Sequence, residues 1–88
     1  MVRREVTILN RQGMHARPAM QIVEASNRFG SDIRICKGDL KVSAKSIMEV
    51  MTLEATQGTQ LALEAEGDDA EAALEELSRI IAEKFNED

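Results

Sequence analysis

The stretch TQLALEAE, residues 59–66, restricts the fold more than any other segment, because Leu61, Leu63 and Ala65 alternate with Gln60, Glu64 and Glu66. Side chains along a strand point to opposite faces in turn, so this pattern demands a sheet with one dry face and one wet face. The dry face must be covered by other parts of the same chain. Eighty-eight residues suffice for a single small core, and one domain spanning residues 1–88 is expected. Cys36 is the only cysteine and His15 the only histidine. No intrachain disulfide can form, and no zinc set can be completed from such residues, so no metal site is expected. The core must therefore close by apolar periodicity alone.

The covering elements are visible on either side. REVTIL alternates at Val6 and Ile8 and predicts a first strand that ends at the turn residues Asn10 and Gly13. In HARPAMQIVEASNRFG, Ala19, Ile22 and Val23 fall at i, i+3 and i+4. The stripe runs on through the small Ser26 to Phe29, predicting a helix that starts after His15 and stops before Gly30. SDIRICKGDLKVSA reads as a hairpin, with Ile33 and Ile35 on one strand, Gly38-Asp39 as the turn, and Leu40, Val42 and Ala44 alternating on the other. Ser46 and Glu49 have capping-box spacing, so a short second helix begins there, with Ile47, Met48, Met51 and Leu53 as its apolar residues and Gly58 closing the region. After the TQLALEAE strand, Asp68 is the expected cap of a last helix, with Glu71 three residues on. Ala70, Ala73, Leu74, Leu77, Ile81 and Phe85 form its inner stripe. Only FNED, residues 85–88, reads as loose. The order β-α-β-β-α-β-α predicts an open two-layer α+β sandwich.

Composition excludes several functions. No apolar run approaches the roughly 20 residues of a spanning helix, and MVRREVTILN lacks the apolar stretch of a signal peptide, so a cytoplasmic protein with no membrane insertion is expected. Residues 1–63 carry nine Lys and Arg against six Asp and Glu, whereas residues 64–88 carry two against ten. The basic part, which contains His15, favours an anionic group or an acidic partner surface, and the acidic part repels nucleic acid. The two aromatics, Phe29 and Phe85, are too few for base stacking, so no nucleic-acid partner is expected.

Chemistry gathers in NRQGMHARPAM, residues 10–20. A helix starting just after His15 presents N–H groups that have no partner within it, together with the positive end of its dipole, and such an end attracts anions. Pro18 suits the first turn, where its missing N–H removes no hydrogen bond, and the donors of Ala16 and Arg17 stay free. The guanidinium of Arg17 matches phosphate oxygens. An unperturbed imidazole titrates near about 6.5, so His15 has a neutral, nucleophilic fraction at cell pH without a dedicated base. A group of this kind can attack phosphorus, hold the anion for a time and release it.

GMHARPA, with Asn10 upstream and KSIMEVM at residues 45–51, closely resembles the histidine-containing phosphocarrier (HPr) family of the bacterial phosphoenolpyruvate-dependent sugar phosphotransferase system. The similarity spans essentially the whole chain. It implies an open-faced β-sandwich, with a four-stranded antiparallel sheet covered on one face by three helices. It further implies that His15 is phosphorylated on Nδ1 by phospho-enzyme I and passes the group to IIA domains of sugar permeases, that Arg17 and the backbone of Ala16 and Arg17 hold the phosphate, and that no cofactor is needed. Met20, Ile47, Met48 and Met51 would form the partner surface of a monomer, although core packing is an equal reading for Met48 and Met51.

Ser46 matches the position modified by a regulatory serine kinase/phosphorylase in some relatives, but a helix N-cap explains it as fully. Glu49 stands where many members have glycine or lysine, and Glu54 where glycine is usual. Their carboxylates would repel a phosphoserine. Glu24 and Asn27 occupy positions that are often basic. A nitrogen-related regulatory carrier of the same family shares all of the His15 chemistry. From other classes, a small phosphate-ester hydrolase of acylphosphatase type would need a group to position water, and none is evident, while a purely structural domain would take no phosphate at all.

Overall fold

In the computed structural model, which describes residues 1–87, the apolar side of TQLALEAE lies in the interior of a four-stranded antiparallel sheet. The elements are β1 (Val2–Thr7), α1 (Ala16–Ser26), β2 (Asp32–Lys37), β3 (Leu40–Ser43), α2 (Ile47–Met51), β4 (Gln60–Glu66) and α3 (Ala70–Ala82), followed by a 3₁₀ turn over Lys84–Asn86. The strand order is β1-β4-β2-β3. Cross-strand partners share a face, and Val6 lies opposite Leu61, Val2 and Ile33 opposite Ala65, Ile35 opposite Leu63 and Val42 opposite Ile35. These side chains form the floor of the core. Ala19 and Ile22 of α1, Val50 of α2, and Leu74, Leu77 and Ile81 of α3 pack into the same buried cluster. Three helices cover the sheet, giving the open-faced sandwich expected.

The open side is not uniformly wet. Glu64 is only 7% exposed, because Arg3 and Lys41 reach across the sheet to its carboxylate. The hydrogen bond from Lys41, and then that from Arg3, hold this carboxyl below the ordinary glutamate range against the opposing effect of burial.

Several local expectations are corrected. β1 starts and ends two residues before REVTIL. α1 ends at Ser26, where Arg28 and Phe29 donate to the carbonyls of Ala25 and Ser26 three residues back, so the chain tightens and leaves the helix before Gly30. The residue before α3 is Asp69, not Asp68, and its carboxylate does not cap the helix. It accepts instead from the Ser31 hydroxyl and from the backbone of Gly30 and Ser31, tying the two loops together. The Ser46 capping box is half formed, since Ser46 Oγ accepts from Glu49 N at 3.3 Å while Glu49 Oε1 turns to Ser43 N at 2.9 Å. On α2 it is Val50 that is buried, and Met48 is 79% exposed.

The largest correction concerns the segment after α3. Phe85 is buried, yet it does not continue the α3 stripe, because Lys84, Phe85 and Asn86 all take left-handed backbone angles with φ of 58°, 55° and 62°. This turn swings the ring back against the core, and Gln21 Nε2 holds the Phe85 carbonyl at 3.0 Å. The expectation that FNED is loose fails for Phe85, Asn86 and Glu87; Asp88 lies outside the described residues.

Glu54 also sits in the left-handed region, with φ of 48°. A residue with a Cβ is disfavoured there by roughly 1–2 kcal/mol relative to glycine, partly offset by the greater freedom of an unfolded glycine. Glu54→Gly should therefore raise stability by about 1 kcal/mol, read in urea as a higher midpoint with an unchanged slope. A lower midpoint would contradict the backbone assignment.

Candidate functional site

Asn10 is fully buried and builds the turn that delivers the histidine. Its carbonyl accepts from Gly13 N at 3.2 Å, and its Nδ2 donates to Gly13 O at 2.7 Å. Gly13 has φ of 72°, and a Cβ there would strike the Ala55 carbonyl and the Thr56 backbone, so only glycine fits. Met14 N then donates to Ala55 O at 2.8 Å and His15 N to Gly13 O at 2.9 Å, which pins the loop to the segment before β4.

His15 is extended and occupies the N-cap position of α1. Its carbonyl accepts from Ala19 N at 3.0 Å, but its side chain does not cap the helix. The N–H groups of Ala16 and Arg17 thus make no hydrogen bond among the described residues, and Pro18 has none to offer. The Arg17 side chain is exposed and forms no hydrogen bond or ion pair among those residues. His15, Ala16 and Arg17 line an open depression of about 580 Å³ together with Arg11, Gln12 and Glu87. The imidazole itself is 35% exposed. Two amides with no acceptor among the described residues, an exposed guanidinium and a partly exposed ring therefore border one depression.

Glu87 was not foreseen. Its Oε1 and Oε2 lie 3.0 and 3.2 Å from His15 Nε2, and Oε1 also accepts from Asn10 Nδ2 at 2.9 Å. The His15 hydrogen bond, followed by that from Asn10, holds the Glu87 carboxyl below the ordinary glutamate range, with nearby Arg17 adding to the effect. His15 Nδ1 has no hydrogen-bond partner among the described residues. No sequence signal marked this contact, since the two residues are 72 positions apart and Glu87 follows a left-handed turn that contains no glycine.

The remaining candidates lie nearby or apart in a defined way. Met20 on α1 and Ile47, Met48 and Met51 on α2 are all exposed, and the two helices pack against each other, so the core reading of Met48 and Met51 is set aside. Ser46 is half-buried at the start of α2. Cys36 is buried in β2, and no cluster of three or more potential ligands among the described residues could hold a metal ion. No described helix is long and apolar enough to cross a membrane.

Residues 2–83 match the family model described as the PTS HPr component phosphorylation site. Phosphocarrier protein HPr of Treponema pallidum is 47% identical over 88 residues, covering all of both chains. Phosphocarrier protein NPr of Shewanella violacea is 37% identical, covering 96% of this chain and 92% of that one. The crystal structure of HPr-C-His from Thermoanaerobacter tengcongensis superposes with a TM-score of 0.96 at 43% identity, covering 100% of this chain and 99% of the other.

The depressed Glu87 carboxyl gives a direct expectation. Its contribution to stability is complete above the unfolded value of about 4.3 and is lost as the pH falls through the lower folded value. A carbon-detected titration should therefore place the Glu87 midpoint below the ordinary glutamate value, and His15→Ala should move it upward. A Glu87 midpoint at the ordinary glutamate value, unmoved by His15→Ala, would show that the contact does not form in solution.

Proposed function

The chain belongs to the histidine-containing phosphocarrier family of the phosphoenolpyruvate-dependent phosphotransferase system, and from that premise we propose that His15 carries the phosphoryl group on Nδ1 between phospho-enzyme I and the IIA domains of sugar permeases. The observation that supports this most strongly is the partly exposed ring beside two helix-start amides that have no acceptor among the described residues. The Nδ1 lone pair attacks phosphorus, and the donor's N–P bond breaks with its electrons returning to the donor nitrogen. The amides of Ala16 and Arg17 then take phosphoryl oxygens, and the Arg17 guanidinium supplies compensating charge.

A carrier must also let go. Each 1.4 kcal/mol or so of added grip would make onward transfer about tenfold less favourable, so one solvent-exposed arginine suits the task better than a buried cluster. The exposed Met20, Ile47, Met48 and Met51 beside the site fit a docking surface for successive partners, because methionine adapts its shape to different faces. We assign the protein to the cytoplasm as a stoichiometric carrier that is monomeric and needs no cofactor. In this reading it is not a hydrolytic enzyme, since the ring nitrogen that could activate water, Nδ1 of His15, is the one that carries the phosphoryl group. Glu87 is the carboxylate that lines the depression among the described residues, and it is engaged by His15 and Asn10.

Ser46 serves here as the α2 cap. A serine kinase/phosphorylase acting on it would place a dianion one turn from Glu49, with like-charge repulsion, and beside the docking surface, where it would hinder acceptance from enzyme I. The nitrogen-related reading has the support of the NPr relative, and only the identity of the partners distinguishes it.

Incubation with enzyme I and phosphoenolpyruvate should add one acid-labile phosphoryl group per chain, seen by mass spectrometry and absent in a folded His15→Ala variant. Arg17→Ala should slow acceptance by about tenfold without abolishing it, the size of one charge-assisted contact at a surface. Transfer from this phosphoprotein solely to a nitrogen-type IIA protein would refute the sugar assignment, and repeated turnover of acetyl phosphate would refute the carrier.

A further inference from the structure

An acidic side chain facing the acceptor histidine is unexpected, because a carboxylate repels an incoming phosphoryl group. Its placement resolves the difficulty. Glu87 meets the ring at Nε2, on the far side from Nδ1, and it is held there by more than the ring itself. Asn10 Nδ2, buried in the turn below, binds the same oxygen at 2.9 Å, while the left-handed turn, the buried Phe85 and the Gln21 bond to the Phe85 carbonyl fix the preceding backbone. Three consecutive non-glycine residues in left-handed geometry are uncommon, and residues held in such geometry cluster where a site must be positioned.

We infer that Glu87 is a positioning residue for phosphoryl transfer: by accepting a hydrogen bond from Nε2–H it keeps the ring proton at Nε2 and leaves the lone pair at Nδ1. An ionised carboxylate can only accept, so the ring nitrogen that faces it must carry hydrogen. In a neutral imidazole the other nitrogen is then the nucleophile. When Nδ1 bonds to phosphorus and the donor N–P bond breaks, the ring becomes a phosphoimidazolium whose positive charge lies directly against Glu87. When the group leaves, the P–Nδ1 electron pair returns to Nδ1 and the Nε2 proton stays in place. Neither step requires His15 to gain or lose a proton, and the carboxylate stabilises the cationic ring that forms between them.

This inference rests on the reading of His15 as an Nδ1 phosphoryl acceptor, and the two can be tested separately. In full-length ¹⁵N-labelled protein at alkaline pH, long-range ¹H–¹⁵N correlation should show His15 with a single tautomer protonated at Nε2. Glu87→Ala should give an increased Nδ1–H share, and Glu87→Gln, whose amide oxygen can still accept, should restore much of the Nε2–H form. In phosphoryl transfer from enzyme I, Glu87→Ala should lower the rate at saturating enzyme I by about threefold to tenfold with little change in the half-saturating concentration, as expected for loss of a partly exposed charge-assisted hydrogen bond. Ring shifts that do not move in Glu87→Ala, or a wild-type proton on Nδ1, would overturn the role of Glu87 even if His15 is phosphorylated. Phosphate found on another residue or on Nε2 would instead overturn the reading of His15, whatever the ring shifts show.

Discussion

Among the described residues the amides of Ala16 and Arg17 have no acceptors, and the residue that begins α1 does not cap it. At most helix starts a serine, threonine, aspartate or asparagine folds its side chain back over these groups. Here the N-cap residue is a histidine whose ring is turned toward Glu87, so the positive end of an 11-residue helix stays open beside the ring. Ser46 makes the contrast within the same molecule: its hydroxyl does cap α2, and that helix start is closed.

Holding this terminus open requires the rest of the fold. The buried face of α1, through Pro18, Ala19, Ile22 and Ala25, fixes the helix axis over the sheet, while Gly13 and Met14 fasten the preceding loop to Ala55. The ring is therefore located by two independent anchors. A third comes from beyond α3, where the left-handed turn carries Glu87 to the far nitrogen. The acidic segment of the chain thus contributes one carboxylate to a site otherwise built from basic and neutral groups, and that carboxylate is placed where it opposes the ring charge rather than the phosphate.

Elements governed by local periodicity were legible in the sequence. The alternation of Leu61, Leu63 and Ala65, the Gly38-Asp39 turn and the helix start after His15 all appear as read, because each depends on neighbours within a few residues. Strand order was not legible from patterning, since nothing in VRREVT announces that it pairs with a strand near residue 63. Charged residues escaped the reading when their partners were distant: Glu64 is covered by Arg3 and Lys41, Asp69 rather than Asp68 precedes α3 and binds the Gly30–Ser31 loop, and Glu87 reaches His15. FNED looked loose for the same reason. The order of Phe85, Asn86 and Glu87 depends on a left-handed turn and on Gln21 and Asn10, none of which leaves a periodic trace next to them.

The open helix start is tested most directly by following backbone amide resonances as the protein is phosphorylated by enzyme I and phosphoenolpyruvate. Acceptance of phosphoryl oxygens by unpaired donors should move the Ala16 and Arg17 amide protons downfield by more than any other amides in the chain, and dephosphorylation should return them. If those two signals stay in place while the largest changes occur elsewhere, the helix start does not hold the phosphoryl group.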